Sequence, residues 1–263
     1  MPKTSERPVV LVTGGGTGVG AAAVIQLAKR GYNAVVNYSR SRAEAEATAG
    51  VAAGHGADAI ALQGNVAENA DCCRIVEATV ERFGRLDAVV NSAGATQFVP
   101  IHELGKQNAE DFQRVYGVNV IGTYQMVRAA APYLKQSGSG AIVNISSIAG
   151  TNGNGSSIAY VASKGALNTL TLTLARLLSP EVRVNCVLPG LIDTRWLPDG
   201  LGVETFETVK RNFASMSALD DVCSAEDIAD AVTFLVADAL KMTGQFLTVD
   251  AGFVLGRPAR VSK

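Results

Sequence analysis

An α/β fold, built as a doubly wound and mostly seven-stranded parallel sheet with helices on both faces, is what this sequence predicts. Three observations predict it. Short apolar, β-branched runs alternate with helix-length segments from one end of the chain to the other. The first of these runs opens directly onto a glycine-rich turn and an alanine-rich helix. Hydrophobic residues make up 48% of the 263, enough to cover a sheet on both sides. No internal repeat or interdomain linker interrupts the alternation, so residues 1–263 are read as one domain.

Residues 9–12 form the first strand, followed by Thr13-Gly-Gly-Gly-Thr-Gly-Val-Gly20 and a helix to about Lys29. Strand, glycine turn, helix is the context a phosphate-binding loop needs. Gly14 allows the tight turn, Gly18 lets a pyrophosphate approach the backbone, and Gly20 permits close packing of the helix; the helix amino terminus then faces the anion. Residues 33–38 are the second strand, and the side chains just beyond its end decide the ribose. A site for NAD ends this strand with an acid that binds the 2′-hydroxyl, whereas Ser39 and Arg40 stand here and the first carboxylate is Glu44. A serine and an arginine suit a 2′-phosphate, so NADP(H) is favoured over NAD(H), which is not excluded.

Residues 43–54 read as a helix, 57–63 as the third strand with Asn65-Val66 at its carboxyl end, and 68–83 as a helix stopped by Gly84. The fourth strand, 86–91, closes on Asn91-Ser-Ala93-Gly94, small residues that let a flat cofactor lie close. Residues 108–134 have the period of one long amphipathic helix, with Asn119 in its middle. The fifth strand runs into Ser147, a helix spans 160–178, and the sixth strand, 182–188, ends in Pro189-Gly190. Residues 191–223 are long and mixed, a candidate lid over the carboxyl edge; Trp196, Phe98 and Phe206 hint at an apolar pocket. Ser224-Ala-Glu-Asp227 resembles a capping box opening a helix to about Val236, and 245–249 is the last strand.

Tyr160 and Lys164 are four apart and share a helix face. A cation beside a phenol favours the phenolate, so the pair is expected to trade a proton with a substrate hydroxyl near neutrality. Ser147, at the carboxyl edge of its strand, adds a neutral hydroxyl; strand alternation sends Ser146 to the opposite face.

Charge and cysteines narrow the classes. The formal charge is −1 with acids and bases interspersed, which favours neither nucleic acid nor an anionic membrane. Four cysteines in this length are no disulfide framework, and no Cys/His spacing suggests a metal. His55 and His102 stand alone. The amino terminus is polar and no apolar run reaches membrane-spanning length, so a reducing cytoplasm is the expected setting.

From about Arg7 to Gly252 the chain resembles the classical short-chain dehydrogenase/reductase family, a Rossmann-type fold, in Thr13-Gly14-x-x-x-Gly18-x-Gly20, Asn91-x-Ala93-Gly94, Asn119, Ser147, Tyr160-x-x-x-Lys164 and Pro189-Gly190-x-Ile192-x-Thr194. The resemblance implies Tyr160 as general acid/base, Lys164 as the group that lowers its proton affinity and binds the nicotinamide ribose, and Ser147 steadying the substrate oxygen. It implies that Asn119 holds a water relaying protons to Lys164. Cofactor contacts are implied for Gly14, Thr17, Gly18, Val19, Ser39, Arg40, Asn65, Val66, Asn91, Ala93, Gly94, Tyr160, Lys164, Pro189, Gly190, Ile192 and Thr194. A homotetramer or homodimer is implied as well. Thr17 stands where many NADP-using relatives carry arginine, and Asn65 where Asp is usual, its oxygen still able to meet the adenine amino group.

The substrate expected is a small ketone or secondary alcohol. A 3-oxoacyl thioester on an acidic carrier protein is the alternative, less favoured because residues 135–140 hold a single cation. A nucleotide-binding module without turnover, and a methyltransferase, both leave Tyr160, Lys164 and Ser147 unexplained.

Overall fold

The computed structural model describes residues 5–257; residues 1–4 and 258–263, where the polar amino terminus and the ends of the 1–263 span fall, lie outside them. Seven parallel strands form one sheet in the order β3-β2-β1-β4-β5-β6-β7. They are β1 (Val9–Thr13), β2 (Asn33–Tyr38), β3 (Ala59–Gln63), β4 (Ala88–Asn91), β5 (Gly140–Ile145), β6 (Val182–Pro189) and β7 (Phe246–Val249). The chain reverses direction across the sheet between β1 and β4, which leaves a crevice at their carboxyl ends. Register aligns the predicted site there: Thr13 pairs with Asn91, Asn91 with Asn144, and Ile145 with Val187.

On one face lie α1 (Gly18–Lys29), α2 (Arg42–Gly54) and α10 (Ala225–Ala237), which bury Val24, Leu27, Ala49, Ile228 and Leu235 against the sheet. On the other lie α3 (Asn69–Phe83), α5 (Thr123–Gln136) and α7 (Ile158–Leu178), around Ile75, Phe83, Met126, Leu134 and Leu174. Each such fully buried aliphatic side chain contributes about 1.5–3 kcal/mol relative to exposure. The central strands β1 and β2 are buried along their whole length, as parallel strands covered on both sides must be. The predicted capping box opens α10: Ser224 Oγ accepts from Asp227 N and the Asp227 carboxylate accepts from Ser224 N.

Two expectations change. Strands predicted over 57–63, 86–91 and 245–249 begin one or two residues later, at Ala59, Ala88 and Phe246. The helix expected over 108–134 is divided into α4 (Ala109–Tyr116), a π-helical stretch Gly117–Gly122, and α5. Gly122 packs on the end of the β3–α3 connection, where a Cβ would lie 2.9 Å from Val66 Cγ2. At the same turn the Asn119 side chain is drawn inward, 1% exposed. A widened turn lets one helix satisfy both contacts.

Residues 191–223 carry α8 (Trp196–Leu201) and α9 (Val203–Met216). The ends of this segment are tied together. Ile192 bridges Cys223, Asp193 N donates to Cys223 O and Cys223 N donates to Leu191 O. Phe206 is 2% exposed and belongs to the packing of the segment, while Phe213 stacks on Phe253 with ring centroids 3.7 Å apart. Among the described residues no helix is long and apolar enough to cross a membrane.

Candidate active site

The glycine turn and the Asn91–Gly94 segment are physically joined. Gly14 has φ +62°, and a Cβ there would stand 3.0 Å from the Ala93 backbone. The Thr13 hydroxyl accepts from both Ser92 N and Ala93 N at 3.1 Å. Thr13 is thus a positioning residue that reading the glycines alone passes over. Gly20 sits so near the turn that a Cβ would lie 2.3 Å from Gly14 O. Val19 points into the core beneath the sheet, so only its backbone reaches the crevice, and Thr17 and Gly18 remain partly open. The result is a cradle of backbone N–H groups at the amino end of α1, empty of side chains.

At the end of β2, Ser39 and Arg40 are exposed, and Arg40 makes no ion pair among the described residues. Glu44 is engaged instead with Arg195, 2.9 Å away across the glycine turn. Its own backbone N–H and that guanidinium hold its carboxyl below the usual range. Asn65 Oδ1 accepts from Ala67 N at 3.1 Å, which orients the amide in a local turn and leaves its second lone pair for an incoming donor. Val66 is buried. Asn91 donates through Nδ2 to Asn144, which donates to Thr171, and Asn91 Oδ1 is buried without a partner.

Ser157 caps α7 by accepting from Tyr160 N at 3.1 Å, which fixes the tyrosine in the first helical turn. Lys164, one turn on, is 4% exposed; its Nζ donates to Ile145 O at 2.7 Å and lies 5.5 Å from the centre of the Tyr160 ring. Ser146 is buried and donates to Lys164 O, whereas Ser147 is partly open and its Oγ accepts from Ala149 N. The two serines therefore divide as strand alternation predicts.

Electrostatics depart from expectation. Burial pushes the Tyr160 phenol up to about 12, with the Ser147 hydroxyl pulling the other way. Burial also pushes Lys164 down to about 8. The spacing predicts an ammonium that lowers the phenol; in the protein alone, desolvation is the larger effect on both groups. Asn119 departs too. Its Oδ1 accepts from Ala95 N at 2.7 Å, its Nδ2 donates to Ala95 O and Ser163 Oγ, and its carbonyl accepts from Thr123 Oγ1. Both amide hydrogens clamp the loop after β4 to α7, so a water at Asn119 would be held through an oxygen lone pair.

Pro189 and Gly190 close β6, where Pro189 O accepts from Ile148 N and Gly190 N donates to Val249 O. The tripeptide Thr194-Arg195-Trp196 then spans the crevice. Thr194 Cγ2 lies 3.7 Å from where a Gly18 Cβ would stand, Arg195 pairs with Glu44, and Trp196 meets the Tyr160 ring edge-on at 6.1 Å. Among the described residues no cluster of three or more His, Cys, Asp or Glu gathers as for a metal ion.

Comparison with known proteins agrees with this geometry. Residues 8–199 match the family model described as short chain dehydrogenase. A protein designated ketoacyl reductase 2 of the granaticin polyketide synthase of Streptomyces violaceoruber is 42% identical, over 94% of this chain and 96% of its own length. The 3-oxoacyl-[acyl-carrier-protein] reductase FabG of Staphylococcus aureus is 35% identical, over 93% and 97%. A crystal structure of a protein designated a short-chain dehydrogenase/reductase, from Burkholderia xenovorans, superimposes with a TM-score of 0.89 at 38% identity, covering 96% of this chain and all of that one. The chain belongs to the short-chain dehydrogenase/reductase family of NAD(P)(H)-dependent oxidoreductases acting on carbonyl and alcohol groups.

Proposed function

We propose that this protein transfers hydride between NADP(H) and a ketone or secondary alcohol, with Tyr160 as general acid/base. The observation that carries the reading is the convergence of Ser147, Tyr160 and the buried Lys164 at the carboxyl edge of β5, beside the side-chain-free cradle of the β1–α1 turn.

The residues present fit a dinucleotide. Backbone at Gly14, Thr17, Gly18 and Val19 would take the pyrophosphate, Ser39 and Arg40 the 2′-phosphate, and Asn65 and Val66 the adenine. Asn91, Ala93, Gly94 and Lys164 would line the nicotinamide ribose, and Pro189, Gly190, Ile192 and Thr194 the ring and its amide. Glu44, already paired with Arg195, is poorly free to accept a ribose 2′-hydroxyl, which supports the phosphate. The bound nicotinamide supplies or accepts the hydride.

Tyr160 works on the oxygen. In the reducing direction its hydroxyl, protonated throughout the neutral range at about 12, gives its proton to the carbonyl oxygen while Ser147 donates a hydrogen bond to the same atom. In the reverse direction Tyr160 must first be ionised. Lys164 below about 8 carries the charge that favours that state. Asn119 holds the loop behind Gly94 and so orients rather than reacts.

A second reading has support in the relatives named for 3-oxoacyl groups: the ketone is a 3-oxoacyl thioester, free or on a carrier protein. Two apolar surfaces, one with Ile121, Tyr124 and Leu177, the other with Phe234, Leu240 and Phe246, support assembly as a homotetramer.

The test is reduction of a ketone panel, including a small 3-oxoacyl thioester and its carrier-linked form, with NADPH and NADH. Arg40→Ala is expected to weaken NADPH binding about tenfold or more while barely changing NADH. Equal losses for both remove the case for the phosphate.

A further inference from the structure

Tyr160 is not open to solvent on all sides. Trp196 stands edge-on to its ring at 6.1 Å and 75°, and the Trp196 Cη2 atom lies 3.8 Å from where a Cβ on Gly94 would be. Phe98 packs against the same lid helix, at Gly200. A Cβ on Gly200 would fall 1.9 Å from the Phe98 ring, so only a glycine lets α8 settle on that aromatic. Both rings are held from behind. Val99 N donates to Ser156 O, and the Thr96 and Ser156 hydroxyls share a hydrogen bond of 2.5 Å, which fixes the Phe98 loop to the turn before α7. On the lid side, Arg195 is anchored to Glu44 and Thr194 N donates to Ile192 O.

Another aromatic of the lid makes the contrast. Phe206 is 2% exposed and satisfied by packing, yet Trp196, the largest apolar side chain of the segment, keeps 43% of its surface open. An indole set against the Tyr160 ring, with that much of its surface open, is arranged to meet a ligand. Its flat π-surface favours a flat partner.

We infer that Trp196 and Phe98 form an aromatic wall at the mouth of the site that selects ketones carrying a planar apolar ring over saturated ketones of the same size. The inference rests on the reading that Tyr160 addresses a carbonyl oxygen. Phe98 and Trp196 then determine specificity by stacking and by excluding water, and take no part in proton transfer.

Trp196 is the single tryptophan of the chain, so its emission reports the wall directly. The NADP⁺-loaded protein is titrated with a bicyclic aryl ketone, 1-tetralone, and with its saturated counterpart, 1-decalone, with inner-filter correction. Saturable quenching is expected at about fivefold lower concentration for the aryl ketone. With NADPH, the ratio of kcat/KM for the two ketones is expected to fall about fivefold in Trp196→Leu and to be retained in Trp196→Phe, which keeps an aromatic face. Equal half-saturation by both ketones, absence of saturable quenching by either, or an unchanged kcat/KM ratio in Trp196→Leu overturns the wall. Selective quenching by 1-tetralone without turnover of either ketone by the wild type upholds the wall and counts instead against the oxidoreductase reading of the site.

Discussion

The floor of the crevice and its cover are built by different physics. On the floor, β1 and β2 are wholly buried, and each predicted side chain is fixed by regular structure: Thr13 and Asn91 by strand register, Tyr160 and Lys164 by one helical turn. In the cover, α8 buries no residue and α9 buries only Phe206. The cover is held at its base by main-chain bonds between Leu191, Asp193 and Cys223, and at its rim by the exposed pair Arg195–Glu44. The difference teaches where rigidity is needed: proton transfer demands fixed atoms, whereas admission of a substrate demands a segment that can yield.

The contrast is open to attack, and the largest effect belongs to the floor. Tyr160→Phe removes only the hydroxyl that the proposal makes the acid/base, so turnover is expected to drop about 10²- to 10⁴-fold with NADPH affinity close to unchanged. Steady-state assays paired with cofactor titration check it, and an active mutant sinks the assignment.

Next comes the cradle. Gly14→Val places a branched side chain at φ +62° and against the Ala93 backbone. A loss of about 2–3 kcal/mol in urea unfolding, together with loss of NADPH binding, is expected. A variant as stable as wild type would show that the floor is softer than the geometry implies.

Lys164 gives a pH signature. Its folded value, about 8, is depressed from the ordinary 10.5, so above 8 the unfolded chain holds the proton the folded chain has released, and stability rises with pH. The buried thiols Cys72, Cys186 and Cys223, raised to about 11, 12 and 11 from the ordinary 9.0, act in the opposite sense from about pH 8 upward, as the unfolded thiols ionise, so the lysine is read as a difference between wild type and a variant without it. Between pH 8 and 9 the stability of wild type is expected to move upward relative to that of Lys164→Met by about 1 kcal/mol. Chemical denaturation at the two pH values decides it.

The smallest effect belongs to the cover. Arg195→Ala breaks an exposed ion pair and should cost less than about 1 kcal/mol of global stability. Hydrogen exchange in residues 194–201 should nonetheless quicken, and an unchanged exchange rate would mean that the rim is held by something other than this pair.

The same division explains what the sequence disclosed. Strand ends are marked by where apolar runs stop, and the candidate groups of the floor sit on strand ends, so Ser147, Asn91 and Pro189 stand out; the Ser146/Ser147 choice comes from alternation and from the spacing to Tyr160. Asn119 is visible but its setting is not, because a periodic apolar pattern does not distinguish a regular turn from the π-helical one that Gly117–Gly122 adopts. The direction of the Tyr160 shift escapes for a related reason. Charge neighbours can be read from spacing, while desolvation depends on everything that closes over the ring, including Trp196 from a distant stretch. The Arg195–Glu44 pair, spanning 151 positions, leaves no local trace.

The bridge between Ile192 and Cys223 sets the two feet of the cover side by side on the sheet. A segment that leaves and returns at one point transmits little of its own length or shape to the scaffold, since lengthening an already closed excursion costs only fractions of a kcal/mol per few residues. Evolution, or an engineer, can therefore exchange what lies between Thr194 and Cys223 as an interchangeable cassette. The range of molecules accepted would change while the hydrogen-bonded row at the end of the strands, and the reaction it performs, stayed as it was.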